Sequence, residues 1–353
     1  MNDVRRLLLE QLKIYPALQP RDALKALYQS EFGCEHFVSD EKSGVDLISN
    51  ELRNPRAGRY ARHLVEPLGY RFSRVHLAAS RKTGLNPATL FRLFLLTSRL
   101  EPPDADAFTA KLRVFHDMCV SGELPFDPAA ARSLISSYNG PISHTDVFRR
   151  LYAPAYRVIR ADFCPFLPLF CRIDAELAKR ARVIMAIDGN CGAGKTTLAL
   201  LLKDIYDDCD ALHMDDFFLR PELKTRERLA KPGGNVDYER FKSEVLDPLV
   251  SGSAFSYRPY DCGAQKLSAP VAFEPKRLNV VEGSYSMHPS LAGAYDFSVF
   301  LKISADKRKE RILQRDGAEK LDRFINEWIP LENLYFEGTR TEARCDMVIL
   351  NSV

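Results

Sequence analysis

Apolar positions recur at helical spacing through the first 180 residues and give way to short β-branched runs beyond them. In the first stretch the periodicity predicts helices over 2–15, 20–32, 40–52, 87–100, 104–120, 128–138 and 168–180. Their starts carry Asp, Asn or Pro, and the second stops at Gly33, the residues expected at helix ends. Beyond residue 180 the pattern predicts strands over 183–187, 211–214, 278–281, 298–303 and 347–350. Helical patterns over 195–206, 238–250, 305–315 and 321–336 alternate with them, the last with a break near Pro330. Helix after helix implies an all-α N-terminal domain over 1–180. Alternating strand and helix over 181–353 implies a parallel sheet covered on both faces.

Composition adds little to this division. Of 353 residues, 46% are hydrophobic and 27% charged, ordinary for a globular chain long enough for two domains. No apolar run reaches the ~18–20 residues that span a bilayer. The chain is therefore expected to be cytoplasmic, with no membrane partner. The eight cysteines form no C-x-x-C pair and no zinc spacing, so they are expected to be reduced thiols. The net charge of +3 splits into +6 over 1–180 and −3 over the rest. Residues 53–99 hold ten basic side chains against the single acid Glu66. A solvated helical surface accounts for such a stretch, and it gives no clear sign of nucleic-acid binding.

The segment Gly189-Asn190-Cys191-Gly192-Ala193-Gly194-Lys195-Thr196 matches G-x-x-x-x-G-K-[ST] in full, and Thr197 follows it. A predicted strand precedes it and a predicted helix follows, the context in which this loop cradles phosphates. Glycines let successive N–H groups turn inward, and the helix start adds partial positive charge. Lys195 is placed to reach the β- and γ-phosphates of ATP or GTP, and Thr196 to offer its hydroxyl to Mg²⁺. No guanine-reading N-K-x-D and no L-S-G-G-Q accompany the loop. The remaining readings are a small-molecule kinase and a nucleotide-driven switch.

A second strand ends in His213-Met-Asp215-Asp216-Phe-Phe218, an acidic pair where a parallel sheet presents residues to its ligand crevice. Together with the loop, with Pro232-Gly-Gly-Asn-Val-Asp237-Tyr238 and with Val281-Glu282-Gly283, it resembles the uridine kinase family. Nicotinamide riboside kinases share the Asp-Asp-Phe-Phe signature. The resemblance covers about residues 182–350. It implies an α/β P-loop NTPase fold with the five-stranded parallel sheet of the nucleoside-monophosphate kinases. It implies Asp215 as catalytic base, Asp237 on ribose hydroxyls, Tyr260 beside the base, and Glu282 near Mg²⁺ with Thr196 and Asp215. Phe218 and Tyr257 offer further flat faces for a nucleobase. The implied activity is phosphorylation of a hydroxyl on a nucleoside-like small molecule, uridine or cytidine.

Arg308, Arg311 and Arg315 fall on one helix face and, with Lys320 and Arg323, flank Gly317. This resembles the lid of such kinases, with Arg315 the expected phosphate contact. Two positions depart from the family. Gln265 stands where a histidine follows the tyrosine, and the lid is short, so nicotinamide riboside or another small molecule stays open as acceptor. Cys191 replaces a common serine. Its place at a helix start beside Lys195 predicts a lowered pKa and sensitivity to oxidants.

The segment Glu332-Asn-Leu-Tyr-Phe-Glu-Gly338 resembles an engineered protease site but sits in a helical pattern and reads as native. In the N-terminal half, residues 28–36 and 143–157 concentrate His and Tyr. They line a pocket or fill the core. A regulatory, substrate-delivery or dimerisation role is open for this half, including a homo-oligomer. Control of it by a nucleotide switch is the rival to the kinase reading.

Overall fold

The computed structural model describes residues 2–33, 40–54, 58, 63–69, 71–98 and 104–351. Backbone contacts divide the chain into two compact units, Met1–Asp174 and Ala175–Val353.

The first unit is mainly helical. Helices Asn2–Ile14, Pro20–Phe32, Glu41–Arg53, Pro87–Ser98, Ala105–Val120 and Pro128–Ser136 stand where the periodicity puts them. Asp40, Asp104 and Asp127 each accept a backbone N–H at a helix start, as capping predicts. Leu8, Leu24, Leu27, Phe115 and Phe148 pack in its core.

The helical reading needs one correction. Strands Val65–Pro67, Phe72–His76 and Tyr156–Arg160 form a three-stranded antiparallel sheet with Phe72–His76 in the centre. All five residues of that central strand are buried, Ser73, Arg74 and His76 among them. Its polar residues hide the apolar run that announces a buried strand. The helix Asp146–Tyr152 was also missed. The basic stretch is not uniformly solvated either. Arg74 is fully buried and pairs with Glu66 at 2.6 Å, and His76 Nε2 meets the other Glu66 oxygen at 2.8 Å. Four of its ten basic residues, at 56, 59, 62 and 99, lie outside the described residues.

The two His- and Tyr-rich segments serve the core where they are described. Tyr28 stacks on Phe32, while Cys34, Glu35 and His36 lie outside the described residues. His144 stacks on Phe148 at 4.1 Å between Asp22 and the Tyr156 hydroxyl. Burial pushes its pKa down to about 4.

The helix Leu167–Lys179 leads into the second unit. There β1 (Val183–Gly189), β2 (Cys209–His213), β3 (Leu278–Glu282), β4 (Phe297–Lys302) and β5 (Met347–Leu350) form one sheet in the order β5-β4-β1-β3-β2. Every pairing is parallel. This is the five-stranded α/β arrangement expected. All seven residues of β1 are buried, as a central strand covered on both faces requires. Helix α1 (Lys195–Ile205) follows the loop after β1, and α2 (Ala305–Asp316) follows β4. The run predicted as one helix over 321–336 is Ala318–Arg323, a π turn at Phe324–Trp328, and α3 (Ile329–Thr339). Pro330 follows the π turn directly, so its missing N–H falls where the helical hydrogen-bond pattern changes. Two short hairpins between β2 and β3, Phe255–Tyr257 with Val271–Phe273 and Tyr260–Asp261 with Lys266–Leu267, carry no pattern long enough to read from sequence.

Candidate active site at the carboxyl end of the sheet

The loop between β1 and α1 can adopt its path only with glycine at its ends. Gly189 has φ 137°, and a Cβ there would lie 2.1 Å from the Leu301 carbonyl oxygen of the neighbouring strand. Gly194 has φ 93° and turns the chain into α1. Lys195 is buried and turned back along the loop. Its Nζ donates to Gly189 O at 2.8 Å, Asn190 O at 3.0 Å and Ser284 Oγ at 3.1 Å.

Register puts the next groups beside it. Glu282 ends β3 and pairs with Ile187 on one side and His213 on the other. One oxygen, Glu282 Oε1, accepts the Thr196 hydroxyl at 3.0 Å and meets His213 Nδ1 at 2.6 Å. The Glu282 bond raises the His213 pKa. Thr196 and Glu282 thus juxtapose two hard oxygen donors, a set that suits Mg²⁺. Asp215 follows in the turn after β2 and is exposed. Partial desolvation there raises its pKa. Lys195 opposes the shift, while Glu282 and Glu332 add to it. Thr196 and Glu282 are thus in contact, Lys195 precedes Thr196, and Asp215 stands two residues beyond His213, which meets Glu282.

Most of the expected acceptor-side residues pack around the turn that carries Asp215, where the Asp237 N–H donates to Phe217 O at 2.8 Å. Asp237 is buried and accepts the Arg240 N–H at 3.2 Å, capping the short helix Tyr238–Phe241. Tyr257 packs on Phe217 with centroids 5.5 Å apart and donates its hydroxyl to Asp216 at 3.2 Å. Phe218 bridges to Val236. Tyr260 is buried opposite Leu267 in its hairpin. Gln265 is exposed in the turn of that hairpin with φ 52°.

The lid arginines separate by position. Arg308 is buried and donates to Cys191 Sγ at 3.0 Å and to Glu332. Arg311 donates to Gly192 O at 3.1 Å. Arg315 is exposed and pairs with its neighbour Asp316 at 2.7 Å. Arg308 and Arg311, rather than Arg315, lie against the phosphate loop in this structure. The Cys191 expectation is reversed. Burial, reinforced by Glu332, pushes its thiol up to about 11 despite Arg308 and Lys195.

Two acids here were not singled out from sequence. Asp188, fully buried in β1, accepts Gly189 N, Tyr285 N, Met287 N and the Tyr335 hydroxyl. Burial still pushes its pKa up to about 6. Glu332 accepts the Cys191 N–H at 3.0 and 3.1 Å and the Ser284 hydroxyl at 2.6 Å. The only signal for Glu332 was an acid inside an apolar and aromatic run.

No family model matches the chain. It is 28% identical over 184 residues to the uridine kinase of Bacillus mycoides, covering 47% of this chain and 84% of that one. It is 26% identical over 172 residues to the pantothenate kinase of Clavibacter michiganensis, covering 43% of this chain. The match spans about half (51%) of the pantothenate kinase's length. Each of these two matches spans less than half of this chain. Among solved structures, one described as a possible uridine kinase from Bacillus stearothermophilus is 20% identical, with a TM-score of 0.40 over 52% of this chain and all of its own. The D-glycerate 3-kinase of Cryptococcus neoformans is 15% identical, with a TM-score of 0.34 over 46% of this chain and 86% of its own.

Proposed function

From a C-terminal half with uridine kinase and pantothenate kinase relatives, we propose that this chain transfers the γ-phosphoryl group of ATP or GTP to a hydroxyl of a nucleoside-like small molecule. The observation that carries the reading is the position of Lys195, Thr196, Glu282 and Asp215 at the carboxyl end of the sheet. A phosphate sensor needs the first two. An exposed acid at the same end suits a hydroxyl acceptor.

In this mechanism the loop N–H groups and the start of α1 hold the phosphates. Lys195 leaves the loop carbonyls and takes phosphate oxygens. Asp215 accepts the acceptor's hydroxyl proton as its oxygen bonds to phosphorus and ADP or GDP leaves. Thr196 and Glu282 would hold Mg²⁺, which when bound neutralises charge on the phosphates. Arg308, Arg311 and Arg315 supply positive charge from the lid side. Positioning and electrostatics account for most of the rate.

Uridine or cytidine is the preferred acceptor, supported by the relative covered over most of its length. Asp237 and the aromatic faces of Phe218, Tyr257 and Tyr260 would hold sugar and base. Exposure of Gln265 in a hairpin turn favours a second reading, in which the contact made by the uridine kinase family's histidine is lacking and the acceptor is nicotinamide riboside or pantothenate. The N-terminal domain, residues 1–180, would regulate or feed a kinase domain over 181–353, as a cytoplasmic chain able to form homo-oligomers.

The test is ADP release from ATP and Mg²⁺ with uridine, cytidine, nicotinamide riboside, pantothenate or no acceptor. Release that depends on one acceptor supports the reading and names the substrate. Nucleotide binding with no acceptor-dependent release contradicts it and favours the switch.

A further inference from the structure

Glu332 touches three groups in and around the phosphate loop. It sits on α3, beyond the lid segment, and is 4% exposed. Its two oxygens share the Cys191 N–H of the phosphate loop, and it pairs with Arg308, itself 7% exposed. The third contact is the Ser284 hydroxyl. That hydroxyl has one hydrogen. Glu332 lies nearest to it at 2.6 Å, which leaves its lone pairs for Lys195 Nζ at 3.1 Å. The carboxylate therefore links the loop amide, the buried arginine and, through Ser284, the loop lysine.

The helix that carries Glu332 is itself tied to β1. Tyr335, three residues on and on the same helix face, donates to Asp188 at 2.7 Å. Asp188 immediately precedes Gly189, the first glycine of the loop. A π turn at Phe324–Trp328 separates this anchored helix from the lid segment that carries Lys320 and Arg323.

On the basis of the kinase reading, we propose that Glu332 is a positioning residue of the transfer site. It aligns Arg308 and Lys195 on the two sides of the phosphate loop before nucleotide arrives. Both cations have long, rotatable stems, and two such groups held in place reduce the reorganisation needed as charge develops. A carboxylate suits the task better than an amide, because it accepts from Arg308, Cys191 N and Ser284 together and donates to none.

This assignment makes a prediction that a packing role does not. Neutralising Glu332 removes a negative charge beside the phosphates, so nucleotide binding is kept or tightened. The two cations lose their alignment, so turnover falls. Glu332→Gln is expected to lower kcat about 100-fold, the scale of losing one preorganised contact to the developing charge. The Kd for a fluorescent ATP analogue with Mg²⁺ should stay within about 3-fold or tighten. Glu332→Asp should recover part of the rate. Ser284→Ala, which removes the relay to Lys195 together with the hydroxyl's contact to Gly189 O at 3.1 Å, should show the same split to a smaller extent. ADP release is read with the best acceptor of the panel, or with water if none serves.

Parallel loss of affinity, rate and thermal stability in Glu332→Gln would reduce Glu332 to packing. Faster turnover would make it an inhibitory latch. Either overturns the proposal. If Glu332→Gln does not fold, Ser284→Ala and Glu332→Asp decide by the same split. A wild-type chain that binds no nucleotide fails the kinase reading itself, and this proposal with it. A wild type that binds and turns over while the variants show no split fails this proposal alone.

Discussion

His213 Nδ1 lies 2.6 Å from Glu282 Oε1, the same oxygen that accepts the Thr196 hydroxyl 3.0 Å away. One carboxylate oxygen thus joins the strand that carries the acidic turn to the helix that follows the phosphate loop. Parallel register is the cause, since Glu282 and His213 are direct partners at the ends of β3 and β2. Removing that charge should loosen cation binding first. In Glu282→Gln, the Mg²⁺ concentration for half-maximal ADP release is expected to rise about 10-fold or more. A Mg²⁺ titration at saturating ATP checks this. An unchanged midpoint would remove Glu282 from the cation site.

The buried Asp188 gives a pH-dependent prediction. Its folded pKa of about 6 lies above its ordinary value of 3.8. Between about pH 4 and 6 the folded state therefore binds more protons than the unfolded chain. The stability from this group is full below that window and is lost as pH rises through it. The Tyr335 hydroxyl favours the charged form. Tyr335→Phe should cost roughly 1–3 kcal/mol at neutral pH and extend the window above pH 6. Urea unfolding of both chains from pH 4 to 8 reads the difference. Parallel pH profiles would contradict it.

Cys191 should be inert at neutral pH, because burial holds its thiol near 11. Iodoacetamide at pH 7 is expected to label the exposed Cys262 well before Cys191. Cys191→Ser should leave the rate of inactivation by peroxide unchanged. Protection by that substitution would restore the reading made from its helix-start position alone.

In the N-terminal unit, Arg74 and Glu66 form a buried pair with both partners almost fully covered. Arg74→Met leaves Glu66 buried without its arginine, held only by hydrogen bonds to Gln11, Tyr15 and His76. The expected loss is about 3–5 kcal/mol, measured by denaturant unfolding of the full chain. A loss below about 1 kcal/mol, the worth of an exposed pair, would contradict the burial of this network.

What the sequence made legible follows from how local each signal is. The phosphate loop is contiguous, and its glycines are demanded by backbone geometry, so residues 189–196 read directly. Strands β1, β3 and β4 read as apolar runs because they are buried on both faces. Phe72–His76 did not, because a core built on Arg74 and His76 carries polar letters where apolar ones mark a strand. Glu332 did not, because its partner Cys191 is 141 positions away and only folding brings the two together. Arg308 and Arg311 shared a helix face with Arg315, but periodicity could not say which of them meets the loop. That depends on how α2 packs beside Gly192.

The most direct test of the central claim pairs two measurements on wild type and Asp215→Asn, namely acceptor-dependent ADP release and nucleotide affinity. Loss of a general base costs about 10²–10⁴ in rate. The account predicts a fall of that size in release, with affinity unchanged within about 3-fold. Release that survives the substitution would contradict Asp215 as the base and, with it, the transfer to a hydroxyl at this end of the sheet.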